Sequence, residues 1–173
     1  KNWRSTKLGK VCPYLLCPEE SNGQICNGSL IWLTEDIQTG NERLVCGVCN
    51  GEVTAKEIVL TRNSMSKNPP DILFATTEMI NRKMHDMWDM HVFGVGPNVK
   101  SPVKMVLIDE AHIYSGATGA QNSYVFRRWR NMTKNKNPIK WVGLSATLRD
   151  AEIFFSNLTG VKQDFVREIS PHN

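Results

Sequence analysis

The sequence predicts a mixed α/β protein with a small cysteine-rich β subdomain near its N-terminal end. After about Ser66, apolar runs alternate with helix-length stretches, which is typical of a parallel sheet with connecting helices. Before that point, short β-type segments lie between turn residues, and all five cysteines occur there. A length of 173 residues suits about one domain of ordinary size, so the cysteine-rich part is expected to be small.

The individual elements follow from periodicity and from turn residues. Buried parallel strands are predicted at 71–75, 103–108 and 139–144. Helices are predicted near 78–88, 117–132 and 150–158, the last with Asp150 as its N-cap and Gly160 as its C-cap. In the first third, strands at 29–33 and 44–46 are predicted to flank a turn at 39–41. Residues 63–70, rich in Ser, Asn, Lys and Pro, form the expected boundary between the two parts.

Composition and charge exclude several classes of protein. With 40% hydrophobic and 22% charged residues, the chain is expected to be globular rather than disordered or fibrous. No run reaches the roughly 18–20 apolar residues of a membrane helix, and we expect no membrane partner. No signal peptide is visible, and a cytoplasmic location is expected. The net charge of +4 permits a polyanionic partner.

The cysteines predict a structural zinc site. Cys46 and Cys49 are separated by a Gly-Val turn that can direct two thiolates at one ion, and a second pair must come from the first three cysteines. Cys26 begins a knuckle-like turn, and its partner could be Cys17 or Cys12; a third possibility pairs Cys12 with Cys17. The alternative is that the thiols are free in a small core. So small a β segment, however, buries too little apolar surface to be stable without a cross-link such as a metal ion. Four thiolates leave no open position for chemistry, so zinc is expected to be structural.

Two polar motifs follow two neighbouring predicted strands. Asp109 and Glu110 come directly after the apolar strand ending at Ile108, which puts both carboxylates at the carboxyl edge of the sheet. Such a pair suits a nucleotide site, because one acid can hold Mg²⁺ while the other orients or deprotonates water. Ser145 and Thr147 follow the next predicted strand. An Asp-Glu pair alone is also consistent with a plain strand end and helix cap, but the full Asp-Glu-Ala-His tetrad is more specific.

These motifs resemble those of a known superfamily. The tetrad 109–112 and the Ser-Ala-Thr at 145–147 resemble motifs II and III of superfamily 2 helicases and translocases, and 71–79 is similar to the segment around motif Ib. Residues 145–160 further resemble the Ski2-like and Hrq1-like groups. Residues 94–98 and 119–130 resemble the large prokaryotic phage-defence helicases of the DISARM type. The resemblance covers the chain from about Asn68 onward. It implies that 63–173 form the C-terminal part of a first RecA-like lobe, a P-loop NTPase parallel sheet, with a zinc-ribbon insertion in 1–62.

The resemblance also implies a role for each residue of the nucleotide motifs. Asp109 would hold the Mg²⁺ of Mg-ATP, and Glu110 would be the general base for the attacking water. His112 would transmit the state of the nucleotide toward a second lobe. Ser145 and Thr147 would couple hydrolysis to movement along the strand.

For the nucleic acid, the resemblance implies that Thr76 and Thr77 contact a backbone phosphate of DNA or RNA. Here the chain departs from the common Thr-Thr-Pro-Glu form, because Glu78 follows Thr77 directly. That departure leaves open which threonine makes the contact.

A phosphate-binding loop is missing from the sequence. No Gly-x-x-x-x-Gly-Lys-Ser/Thr occurs, so no segment is expected to hold the β- and γ-phosphates, and no second lobe is present to supply an arginine finger. We therefore expect the chain to be a fragment of a larger ATP-dependent helicase or translocase, inactive by itself. The alternative is a zinc-ribbon module that binds nucleic acid or protein on a RecA-like support without hydrolysis.

Overall fold

The chain divides into two compact units, Lys1–Pro70 and Asp71–Asn173, in a computed structural model that describes residues 2–133, 138–146 and 148–169. Thr147, one of the two predicted coupling residues, lies outside these ranges. Within them, no helix combines the length and the apolar character that crossing a membrane requires. The assignment of 1–62 to a ribbon insertion and of 63–173 to a lobe remains a prediction.

The first unit is built on an antiparallel sheet of five strands in the order β1-β2-β5-β6-β7, next to a separate hairpin of β3 and β4. Two short helices complete it. The strands are β1 Arg4–Ser5, β2 Gly9–Leu16, β3 Glu20–Ser21, β4 Gln24–Ile25, β5 Ser29–Leu33, β6 Leu44–Cys46 and β7 Glu52–Val53. The helices are α1 Thr34–Thr39 and α2 Arg62–Lys67. The predicted strands at 29–33 and 44–46 are confirmed.

Between β5 and β6, the predicted turn is present at Gly40, but the helix that precedes it was not predicted. The connection is the six-residue helix α1, which ends at Gly40 in the left-handed conformation with φ of 76°. The acidic first turn of α1 favours this helix, because carboxylates are stabilised near a helix N-terminus. The side chain of Asp36, which is buried, also accepts a hydrogen bond from Asn41 and anchors the connection to β6 through Arg43.

Burial in the first unit is concentrated around the metal-ligand candidates rather than in a large apolar core. Leu30 and Leu44 are fully buried on β5 and β6, in the same cluster as three of the cysteines. Trp32 packs against Trp3 with ring centroids 6.0 Å apart and donates its indole N–H to the carbonyl of Asn41. So few apolar residues cannot stabilise an independent unit by burial alone.

Glu42 ties the start of β6 to helix α2. Its carboxylate is buried and accepts hydrogen bonds from the N–H groups of Leu60 and Thr61 and from the hydroxyl of Thr61. Burial alone would raise the pKa of Glu42, but hydrogen bonds from Ser64, Thr61 and Leu60 outweigh it and lower the pKa below its ordinary value. The ionised form is therefore the one that the fold stabilises.

Replacing Glu42 with Gln is expected to destabilise the first unit by about 1–3 kcal/mol at neutral pH, because the charged acceptor is lost from a buried site. Since the folded pKa is depressed, the wild-type advantage is complete above the unfolded value of about 4.3 and disappears as the pH falls through the lower folded pKa. Urea denaturation at pH 7 and at stepwise lower pH measures this difference. Glu35→Gln is the matched control, since that side chain is 74% exposed. A difference that persists undiminished below the folded pKa would contradict the assignment.

The second unit contains one β-α-β crossover with flanking helices. Strands β8 Met105–Ile108 and β9 Lys140–Gly143 pair in parallel, with Ile108 opposite Gly143. The helices are α3 Thr77–Lys83, α4 Gly116–Thr133 and α5 Ala151–Thr159. All three helices and two of the three strands predicted here are present among the described residues, but the strands are shorter than expected and α3 ends at Lys83, before the predicted end at residue 88. The prediction that these strands are buried is wrong. Met105 and Leu107 of β8 are 50% and 60% exposed, and no residue of β9 is fully buried. Gly160 ends α5 in the left-handed conformation, as predicted.

Aromatic packing joins the crossover helix to the sheet. Phe126 and Trp129 of α4 contact Trp141 of β9 edge to face, at centroid distances of 5.6 and 6.0 Å. Trp129 also donates its indole N–H to the carbonyl of Phe93 at 2.7 Å, so its polar atom is satisfied inside the core.

Helix α5 is held against α4 by two arginines. Arg127 and Arg130 of α4 donate hydrogen bonds to main-chain carbonyls in the last turn of α5. These bonds fix α5 against α4.

The predicted strand at 71–75 is wrong. In the structure this segment has no regular secondary structure, and Ile72 and Phe74 are 76% and 91% exposed. A strand requires a neighbour for its N–H and C=O groups, and within the described residues β8 and β9 pair only with each other. The parallel sheet of the second unit therefore has two strands among the described residues, where three were predicted. Asp150 does occupy the N-cap position of α5, but with left-handed φ and no side-chain capping bond.

Candidate functional site: a four-cysteine centre and an acidic strand end

Four cysteine sulfurs converge at one end of the first unit. The sulfurs of Cys17, Cys26, Cys46 and Cys49 all lie within 4.8 Å of one another. The sulfurs of Cys17 and Cys49 are 3.5 Å apart, and those of Cys26 and Cys46 are 3.7 Å apart. Of the pairings that the sequence left open, the structure brings together Cys17 with Cys26. Cys12 is buried in the adjacent cluster and is not among the four.

These separations fit a tetrahedral zinc ion. Four sulfurs at about 2.3 Å from Zn²⁺ lie about 3.8 Å apart at the edges of the tetrahedron. Without a cation, thiolates this close would repel each other strongly. The four side chains also close the coordination sphere, so a bound ion would have a structural role and no open position for a substrate. The four cysteines can thus hold a metal ion, consistent with structural zinc.

Two turns of similar construction aim the sulfurs inward. In the first, the N–H of Cys17 donates to the carbonyl of Gly28, and Asn27 adopts φ of 52° beside Cys26. In the second, the N–H of Val48 donates to the sulfur of Cys46. Position 28 requires glycine, because a Cβ there would lie 2.5 Å from the sulfur of Cys46. This close approach explains why a glycine follows Cys26 by two residues.

Local hydrogen bonds and burial shift two of the thiols in opposite directions. Main-chain N–H groups of Cys49 and Val48 lower the pKa of Cys46 to about 6. Burial raises the pKa of Cys17 to about 12. A cysteine binds zinc as the thiolate. Cys46 would therefore bind the metal without a large cost of deprotonation at neutral pH, whereas Cys17 would have to lose its proton when the metal binds.

The second site lies where β8 and β9 end side by side. The N–H of Leu144 donates to the carbonyl of Ile108 at 2.9 Å, and the N–H of Ala111 donates back to Leu144 at 2.9 Å. These bonds hold the turn after β8 against the end of β9. Asp109 and Glu110 follow β8 directly and are both exposed, as predicted from the sequence. Two carboxylates therefore project from the carboxyl edge of the parallel strands.

His112 connects this acidic turn to the strand beside it. Its Nδ1 lies 3.2 Å from the hydroxyl oxygen of Ser145 and 3.3 Å from a carboxylate oxygen of Glu110. The imidazole is 41% exposed, so it lies at the surface of the edge rather than inside the core. The structure thus brings Ser145 next to Glu110 and His112, although it lies 33 residues after His112 in the sequence.

The backbone at Glu110 is unusual for a glutamate. Its φ and ψ are both 48°, in the left-handed region that non-glycine residues rarely adopt. The N–H of Glu110 donates to the carboxylate of Asp109 at 2.9 Å, which fixes the orientation of that side chain. This conformation reverses the chain immediately after the strand and keeps both acids at the edge. The sequence contains no signal that would have predicted it.

Thr76 and Thr77 lie at the start of α3. The hydroxyl of Thr76 accepts a hydrogen bond from the N–H of Met79 at 3.2 Å and so caps the helix. Thr77 is the first residue of the helix and is half-buried. A contact between either threonine and a nucleic-acid phosphate remains a prediction.

Comparison with known proteins points to one class. No protein-family profile matches the chain, and no solved structure matches it. It is 26% identical over 115 residues to a protein of Methanocaldococcus jannaschii that is named as an uncharacterized ATP-dependent helicase. The match covers 66% of this chain, and the chain spans 16% of the length of that protein. This similarity supports a helicase-related function in general.

Proposed function

We propose that the chain belongs to the nucleotide-hydrolysing core of an ATP-dependent helicase or translocase of superfamily 2, with a zinc ribbon in its N-terminal unit. The observation that carries the proposal is the cluster of Glu110, His112 and Ser145 at the ends of two parallel strands. Open α/β sheets bind ligands at this edge. The similarity to a protein named as a helicase agrees with this reading.

The exposed carboxylates fit the needs of a magnesium–nucleotide site. Mg²⁺ prefers oxygen ligands and keeps several waters, so it can be held by one carboxylate at a strand end together with the phosphates of the nucleotide. In this proposal Asp109 would hold the ion, and a bound Mg²⁺ would supply positive charge next to the phosphates. Glu110 accepts the proton of the attacking water, which forms a bond to the terminal phosphorus as the bond to the nucleoside diphosphate breaks.

In this proposal, His112 is the residue that links ATP hydrolysis to movement along the nucleic acid. It contacts the carboxylate of Glu110 and the hydroxyl of Ser145 with the same nitrogen atom. Loss or movement of charge at Glu110 therefore changes the contact with Ser145. We propose that this is the coupling step, with DNA or RNA as the polymer that is moved and Thr76 or Thr77 as a phosphate contact.

Steady-state ATP hydrolysis tests the proposal. Because the sequence contains no phosphate-binding loop, the chain alone is expected to show no turnover above background, with or without DNA or RNA. A longer polypeptide that adds such a loop and a second lobe is expected to hydrolyse ATP, and faster with nucleic acid present. Absence of hydrolysis in that polypeptide would refute the function. Turnover by the chain alone that Glu110→Gln abolishes would refute only the requirement for the added parts.

A further inference from the structure

The end of the first unit that carries the four-cysteine centre has exposed apolar side chains. Leu16, Ile25 and Val48 are 59%, 57% and 73% exposed. Each is the chain neighbour of a cysteine of the four-sulfur centre, so the backbone of all three lies next to that centre. Tyr14 and Leu15, which precede Leu16 on β2, are exposed as well. We call these five residues the apolar collar.

The local structure holds the collar together. A Cβ at Gly28 would lie 3.0 Å from a methyl group of Val48, and Gly28 accepts a hydrogen bond from Cys17, the neighbour of Leu16. Ile25 pairs with Glu20 across the β3–β4 hairpin, whose end is bonded through Glu19 to Cys26. The metal-binding turns therefore fix the positions of these apolar side chains. Exposed apolar patches of this kind mark interaction sites.

The chain segment that carries four of the five collar residues is acidic. Residues 11–42 contain five carboxylates and no Lys, Arg or His, although the whole chain carries a net charge of +4. Glu19 and Glu20 are exposed, and a Cβ at Gly51 would lie 2.4 Å from the side chain of Glu19 and 3.2 Å from the sulfur of Cys49. A zinc ion with four thiolates adds two further negative charges.

Lys10 and Arg43, the basic residues on either side of this segment in the sequence, do not offset its charge at the collar. Arg43 is paired with Asp36 and Glu52 at 3.1 and 3.0 Å. Lys10 lies six residues before Leu16 along β2, which corresponds to about 20 Å of extended strand. A nucleic-acid backbone, which is bound mainly through Lys and Arg, would be repelled from this surface.

We infer that the apolar collar is a docking surface for a protein segment that presents apolar side chains flanked by lysine or arginine. Apolar anchors would contact Leu16, Ile25 and Val48, and the basic residues would face Glu19 and Glu20. The inference is independent of the proposed helicase function, because it concerns only the first unit. It assigns protein binding, rather than nucleic-acid binding, to the first unit.

Amide chemical shifts of the zinc-loaded chain test this inference. The probes are an amphipathic peptide of leucine and lysine, the same peptide with glutamate in place of lysine, and a single-stranded oligothymidylate. We expect the leucine–lysine peptide to shift signals around Cys17, Cys26 and Val48. Its affinity should fall about tenfold in the Ile25→Ser, Val48→Ser double variant, the size of effect that an anchor residue has at an interface. Leu8→Ser is the matched control, because Leu8 is 64% exposed outside the collar.

A second variant separates charge from folding. Glu20→Lys is expected to weaken binding of the leucine–lysine peptide and to strengthen binding of the glutamate peptide, while the zinc content stays at one per chain. Oligothymidylate shifts at the collar, with an affinity equal to or above that of the peptide, would overturn the inference in favour of nucleic acid. It would also be overturned if the leucine–lysine peptide left the collar signals unmoved, or bound the double variant as well as the wild type.

Discussion

Removing the metal from the four-cysteine centre is expected to unfold the first unit. The apolar cluster there is small and includes three of the cysteines themselves. Zinc binding by a site of this kind contributes about 10–16 kcal/mol at neutral pH, far more than such a core supplies. A strong chelator should therefore abolish the near-ultraviolet circular dichroism that Trp3 and Trp32 give in their packed arrangement. Re-addition of zinc should restore it.

Single substitutions distinguish a ligand from a neighbour. Cys46→Ser and Cys17→Ser are each expected to lose stoichiometric zinc, measured by metal analysis after dialysis against a weak chelator. Cys12→Ala should keep one zinc per chain, because Cys12 is buried outside the cluster of four sulfurs. Retention of the metal by both serine variants, or its loss from Cys12→Ala, would show that the assigned ligand set is incorrect.

Glu110→Gln is expected to lower ATP turnover of the larger polypeptide by about 10²–10⁴-fold, the usual contribution of a general base. Glutamine keeps the size and hydrogen-bonding capacity of the side chain but cannot accept the proton of water. Affinity for the magnesium–nucleotide complex should therefore change little, since Asp109 is the proposed holder of the ion. Rates measured at saturating ATP, together with nucleotide binding measured separately, give the two quantities.

Glu35→Gln serves as the comparison, because Glu35 is an exposed residue of α1 whose side chain is 74% accessible. It should leave turnover within about twofold of wild type, as surface substitutions usually do. Unchanged turnover in Glu110→Gln would remove the basis for assigning hydrolysis to this turn. A loss of nucleotide affinity without a loss of maximal rate would instead assign Glu110 to binding.

Several elements could be predicted because local signals and tertiary packing agree. The alternation of apolar runs and helices located β8, α4 and β9, and Gly160 located the end of α5. The spacing of Cys46 and Cys49 indicated one half of the metal centre. In each case the signal lies within a few residues of the feature that it predicts.

The remaining features depend on contacts between distant parts of the chain. Whether 71–75 forms a strand depends on a neighbouring strand, which periodicity cannot reveal. The choice of Cys17 over Cys12 depends on the irregular register of β2 against β5 between Val11 and Leu16, which positions the two cysteines differently. The contact of His112 with Ser145 requires the parallel pairing of β8 and β9. Sequence reasoning could name these residues but could not place them in space.

The left-handed backbone at Glu110 has a consequence for engineering the protein. Glycine would fit this conformation better, by about 1 kcal/mol, because it carries no Cβ. A glycine there would, however, remove the carboxylate on which the proposed chemistry depends. Heat tolerance and catalysis therefore make opposing demands at a single position, and a programme of thermostabilisation should leave this residue untouched while it improves the rest of the unit.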